Sequence, residues 1–214
     1  MTERVSGVVW DVTEPRVADT FARLSGKWVA LRPLMPGDHE FLYRIAVDPR
    51  MIVRWRLRGT TPSPEQFPHL LWQNVLAQFV VERVSDRMAI GTVTAYNADH
   101  RNGIVYLAVV IVPEFEKSGW ALESVAIFVE YVFRCWAFRK IYVDAVEFNF
   151  AEYSSGLGRY FQLEGCLRDR EYFDGRYWHV YIAALHRDDW PAIARRLGRQ
   201  VAAESGGAEG AIRG

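Results

Sequence analysis

Six consecutive residues, Glu116-Lys117-Ser118-Gly119-Trp120-Ala121, carry the most specific chemistry in the sequence. They follow an apolar run, 104–112, and open a long amphipathic stretch, 121–138. A strand, a tight turn with a glycine and then a helix aim backbone N–H groups and the positive end of a helix dipole at one point. A phosphate or pyrophosphate fits there. An ordinary strand-to-helix connection has the same composition, so the six residues need a second signal before they mean more. Metal chemistry has no such beginning. The five histidines are scattered without ligand spacing, and Cys135 and Cys166 suit neither a disulfide framework nor a metal cluster.

The elements that would position this turn can be read from periodicity. Residues 27–33 alternate as a strand and end at Pro33, and 38–47 fit a first helix. Ser63 and Gln66 have capping-box spacing around Pro64, which predicts a second helix running to about Leu76. Strands are expected at 79–84, 88–96 and 104–112, then a helix over 121–138 and a strand over 140–147. Asn149 and Glu152 form a second candidate capping box, opening a helix weakened by Gly156 and Gly158. Asp174-Gly175 is the strongest hairpin signal and joins strands 162–173 and 176–185. Asp188 caps a last helix, 189–197. The order is that of an α/β protein with a mixed central sheet of about seven strands flanked by helices.

Composition narrows the class. The chain has 214 residues, half of them apolar, with 26 basic and 26 acidic residues. This balance gives no basic field for nucleic acid and no polybasic membrane anchor. No uncharged apolar stretch of about 18 residues exists, nor a signal-peptide core, so a reducing cytoplasm is the expected home. Residues 1–26 read as an extension with a short strand and a helical turn, 27–198 as one domain, and 199–214 as a disordered tail.

The second signal lies downstream of the turn. Asn149 is followed by Tyr160-Phe161-Gln162-Leu163-Glu164-Gly165-Cys166-Leu167-Arg168. Together with the six-residue turn, this order and spacing resemble the GNAT superfamily of N-acetyltransferases over residues 27–190, in particular the branch of ribosomal-protein N-terminal acetyltransferases. Members carry an Arg/Gln-x-x-Gly-x-Gly/Ala loop that grips the coenzyme A pyrophosphate, then an Asn, then Gly-Phe-x-x-Glu-Gly-x-x-Arg.

The resemblance implies a GNAT fold and transfer of an acetyl or other acyl group from acetyl-CoA or another acyl-CoA to an amine. It places Glu116, Lys117, Ser118, Gly119, Trp120 and Ala121 around the pyrophosphate. It places Val110, Ile111 and Val112 along the pantetheine arm, and Asn149 beside it. An N–H of the same strand would meet the thioester carbonyl, a donor worth about 3 kcal/mol in related sites. Two departures stand out. Glu116 replaces the loop's leading Arg or Gln, at a cost of roughly 1–4 kcal/mol if it faces the phosphates; otherwise it turns to solvent and Lys117 offsets its charge. The usual tyrosine seven residues after the Asn is Gly156, which leaves Tyr153 or Tyr160 to reprotonate the thiol, or leaves room for a larger acyl group.

A free alkyl amine has a pKa of about 10, so a base or a desolvated pocket must remove its proton. Relatives use a glutamate on the fourth strand, where this chain has Tyr106, or at the end of the fifth. Glu147 is the choice here; Asp144 lies on the same strand with the opposite facing. His179 and His186 read as structural. Arg54, Trp55, Arg56 and Arg58, with the aromatic hairpin residues Tyr172, Phe173, Tyr177 and Trp178, frame the acceptor side, and the hairpin also suits core packing or a homodimer contact. Two rival readings use the same fold: a catalytically degenerate protein that binds acyl-CoA or a partner, and a structural scaffold.

Overall fold

Runs of β-branched and aromatic residues with period-two alternation pair into one sheet, and the helical stretches cover its faces. The computed structural model describes residues 24–52, 57–115, 119–154 and 156–197. Among them the elements are β1 (Leu24–Ser25), β2 (Val29–Pro33), α1 (His39–Val47), α2 (Phe67–Leu70), β3 (Val75–Arg83), β4 (Ala89–Asp99), β5 (Ile104–Ile111), α3 (Trp120–Cys135), β6 (Lys140–Val146), α4 (Glu147–Ser154), β7 (Gln162–Phe173) and β8 (Arg176–His186). Residues 190–197 form a last helix, α5. The expected N-terminal strand and turn and the C-terminal tail fall outside the described residues. No described helix is long and apolar enough to cross a membrane.

The strand order is β1-β2-β3-β4-β5-β6-β8-β7, eight strands where about seven were expected; the additional one is the two-residue β1. All neighbours are antiparallel except β5 and β6, which run parallel. That parallel pair spans only Ile104↔Lys140, Val105↔Ile141 and Tyr106↔Tyr142. Beyond it the strands part, β5 staying with β4 and β6 with β8.

The two faces bury different cores. Leu31, Val81, Val93 and Leu107 pack with Phe128, Val129 and Val132 of α3 and with Trp190, Ile193 and Leu197 of α5. Leu42, Ile45, Phe67 and Leu71 of α1, α2 and the turn after it form a smaller cluster against Val110 and Val112 on the opposite face.

Several expected boundaries moved. Ser63 and Gln66 do cap each other's N–H groups, both at 3.4 Å, but the helix they start is one turn. Residues 71–74 are turns, Asn74 takes φ +56°, and β3 begins at Val75. Helix α3 stops at Cys135 because Trp136 is extended. The Asp174-Gly175 turn has positive φ at both residues, 51° and 75°, the mirror-type geometry that fits strand twist.

Candidate active site

The parting of β5 and β6 opens a cleft of about 760 Å³ through the middle of the sheet. Its walls are Leu107 to Val110 of β5 and Val143 to Val146 of β6, with Ala121, Leu122 and Val125 of α3 at one end. Helix α3 starts there because Gly119 turns the chain with φ +77°, a left-handed conformation that other residues adopt at a cost. The first turn of α3 is pinned from behind. Buried Glu123 accepts the N–H groups of Lys27, Trp28 and Val29 at 2.6, 2.9 and 3.0 Å, tying the β1–β2 turn to the helix start. The positive end of α3 therefore faces the cleft in a fixed position.

The main chain of β5 supplies hydrogen-bonding groups. Val112 donates its N–H to the Ile90 carbonyl (2.9 Å), and Ile111 lies opposite Gly91. Strand alternation then turns the main-chain groups of Ala108 and Val110 toward β4, and those of Val109 and Ile111 toward the cleft, where β6 no longer pairs with them. Of Val110, Ile111 and Val112, Ile111 turns its main-chain groups away from β4, while Val110 and Val112 turn theirs toward β4.

Asn149 also lines the cleft. It is the third residue of α4, not its cap, because the helix begins two residues earlier at Glu147. Its side chain is thus released from capping, and its Oδ1 is buried without a hydrogen-bond partner. An orphaned buried acceptor costs about 1–3 kcal/mol, and a water or a donor from a bound molecule would satisfy it.

The expected catalytic residues fare differently. Glu147 opens α4, is exposed, and does not line the cleft; the strand ends one residue before it. Tyr160 is buried in the main core, in the turn that follows α4, rather than on a helical face shared with Gly156. Tyr153 lies in α4 at a position whose side chain is outside the described set, as are Glu116, Lys117 and Ser118 of the turn and Arg54, Trp55 and Arg56. Trp120 and Ala121 are the first two residues of α3. His179 accepts the Asp169 N–H (3.1 Å) and His186 lies 3.3 Å from Glu164, both structural roles.

A polar constellation on the α1/α2 side of the sheet joins Arg58, Tyr106 and Asp144, each singled out in the sequence, to Tyr96, Tyr142 and Glu171, which were not. Tyr96, Tyr106 and Tyr142 are cross-strand neighbours on β4, β5 and β6, with ring centroids 5.7 and 5.4 Å apart. Tyr96 donates its hydroxyl to Asp144 Oδ1 at 2.7 Å. Burial, then the Asp144 charge, raise the Tyr96 hydroxyl well above the usual phenol value, so it stays protonated and donating. Arg58 reaches Asp144 Oδ2 (3.3 Å) and also pairs with Glu171 of β7. Asp144, Tyr96, Tyr106, Arg58, Arg170 and Glu171 all line the cleft. Asp144 shares the strand face of Tyr142, two residues away, and so lies on the same side of the sheet as Tyr96 and Tyr106.

A sheet opened between two parallel strands, with a helix start at one end and a carboxylate on one face, leaves an unpaired stretch of β5 beside the cleft. Residues 29–153 match the acetyltransferase (GNAT) domain family, and the chain belongs to that family. Among solved structures it is similar to the spermidine N-acetyltransferase of Vibrio cholerae in complex with CoA and spermine, at 22% identity over 77% of this chain and 99% of that one, with TM-score 0.69. It is also similar to a probable GNAT-family acetyltransferase of Chromobacterium violaceum (20% identity, 89% and 100% covered, TM-score 0.65). A third is a GCN5-related N-acetyltransferase of Brucella melitensis (19%, 86% and 87%, TM-score 0.67). No curated protein matches the chain.

Proposed function

We propose that this GNAT acetyltransferase moves an acyl group from acyl-CoA to a small cationic amine, with Asp144 as proton acceptor and Tyr96 as the group that orients it. The observation that carries the reading is the buried, unpartnered Asn149 Oδ1 in a cleft whose β5 wall offers the main-chain groups of Val109. Bound acyl-CoA supplies the thioester carbon; the chain holds the arm between β5 and β6 and brings the amine in from the Tyr96–Asp144 face. The amine nitrogen forms the new bond to the acyl carbon as the carbon–sulfur bond breaks. The ammonium first gives one proton to Asp144, which frees the nitrogen lone pair, and the second N–H proton, lost as the amide forms, goes to the departing thiolate, which leaves as thiol. Asp144 is favoured over Glu147 because it is the one that lines the cleft.

Acceptor chemistry follows the walls. Two carboxylates, Asp144 and Glu171, line the acceptor side, and the Vibrio cholerae neighbour is a spermidine acetyltransferase. Both favour a small cationic amine over the protein N-termini that the ribosomal-protein acetyltransferase resemblance suggests. Calorimetry with acetyl-CoA and thiol release with an amine panel test the reading. Acetyl-CoA should bind the wild type, and Asn149→Ala should weaken it about tenfold, near the 1.4 kcal/mol of one lost hydrogen bond. Binding without turnover across a panel of polyamines, amino sugars and peptides would favour the catalytically degenerate alternative.

A further inference from the structure

Arg58 is an unusual residue to find where a cationic substrate must arrive. It stands in the loop before α2 with φ +44°, in the left-handed region, followed by Gly59 at φ +90°. A non-glycine residue there is uncommon and needs something to hold it. The turn is closed by the Thr60 N–H donating to the Leu57 carbonyl at 2.9 Å, and from it the Arg58 guanidinium forks over two strands, Nη2 on Asp144 of β6 and Nη1 on Glu171 of β7. Glu171 reaches inward because the β7–β8 register shifts between Leu167 and Glu171, which bends β7 at the cleft. All three side chains line the cleft, and all three keep partial solvent access, at 40% for Arg58, 24% for Asp144 and 28% for Glu171. The pairs are thus open to exchange rather than sealed.

Resting on the acceptor-side reading above, we propose that Asp144 and Glu171 form the seat for the acceptor's ammonium group and that Arg58 occupies this seat until an acceptor displaces it. An alkylamine arrives protonated, with the same charge as the guanidinium and three N–H donors to spread over the same two carboxylates. Displacement frees Asp144 Oδ2 to take the proton, while Tyr96 keeps Oδ1 in place. Arg58 thereby sets specificity. A neutral or anionic acceptor gains nothing from the exchange, and Arg170, which also lines the cleft, disfavours acceptors whose positive charge extends toward it.

The test needs no turnover. Calorimetric titration with 1,4-diaminobutane should compare wild type, Arg58→Gln and Arg58→Gln/Glu171→Gln, each checked by thermal melting and each also titrated with acetyl-CoA. Arg58→Gln is expected to bind the diamine at least tenfold tighter than wild type, and adding Glu171→Gln to remove most of that gain. Equal or weaker diamine binding by Arg58→Gln overturns the proposal, as does a gain that survives Glu171→Gln. Loss of acetyl-CoA binding by the wild type would instead strike the transferase reading, whatever the diamine result. In acetyl transfer, Arg58→Gln should lower the amine KM, where a purely structural role would raise it or lower kcat alone.

Discussion

Asp144 and Tyr96, the proposed proton acceptor and its orienting group, lie 48 positions apart and meet from β6 and β4. The hydroxyl is buried and donates at 2.7 Å, so one carboxylate oxygen is fixed while the other faces the cleft. Asp144→Asn should lower kcat about 100- to 1,000-fold, the range for loss of a general base, with acetyl-CoA affinity unchanged. Tyr96→Phe should cost less, about tenfold in kcat, because orientation is lost and the carboxylate remains. Steady-state kinetics beside calorimetry would check both, and a wild-type kcat in Asp144→Asn would remove the residue from the mechanism. The turn at Gly119 was legible in the sequence because a glycine before a helix leaves a local mark, whereas the expected cap at Asn149 was not, because α4 begins two residues earlier. Asp144 was visible beside Glu147, which was preferred for its place two residues before Asn149; the strand in fact ends at Val146, and boundaries are where periodicity says least.

At the scale of elements, side chains from distant segments set where helices begin and end. Arg187 donates to the carbonyls of Phe133, Trp136 and Phe138 and so caps the C-terminus of α3. Arg187→Ala should cost about 3 kcal/mol in denaturant unfolding, because charged hydrogen bonds to orphan carbonyls are lost. Gly91 is another such point. A Cβ there would lie 2.1 Å from the Val110 carbonyl oxygen, so Gly91→Ala must push β4 from β5 at the wall of the cleft. About 3 kcal/mol of destabilisation is expected, with weaker acetyl-CoA binding as its partner effect. Neither constraint could be read from pattern, since each is a meeting of segments far apart in sequence. The β7–β8 hairpin was legible almost to the residue, because Asp174-Gly175 specifies its own turn. Helix α2 was not: its capping residues are genuine, but the positive φ at Asn74 and the pull of strand pairing at Val75 end it early.

Glu164 and Asp38 are two of six carboxylates among the described residues that are held low and so couple stability to pH. The Lys140 ammonium, then the Tyr142 hydroxyl, hold Glu164 below its usual range. Burial alone would raise Asp38, but the Arg32 guanidinium and the Met35 N–H outweigh it and hold it low. Each is depressed when folded, so its contribution is complete above the ordinary carboxylate values and is lost as pH falls through the depressed ones. Melting temperature should stay level from pH 7 to about 5 and drop below about 4. Glu164→Gln should flatten part of that drop; an unchanged acid limb would contradict the assignment. Ligand acts in the other direction, and acetyl-CoA at 100 times its Kd should add about 2.7 kcal/mol.

The short parallel seam at 104–106 and 140–142 has a mechanical corollary. Five strands lie on one side of it and three on the other, so the sheet behaves as two leaves on a narrow spine. A guest threaded between them would act as the missing rung. Amide protons of Val109 and Ile111 should then trade with heavy water quickly in the ligand-free protein and slowly once acetyl-CoA is in place, while their neighbours on the β4 side keep one rate throughout.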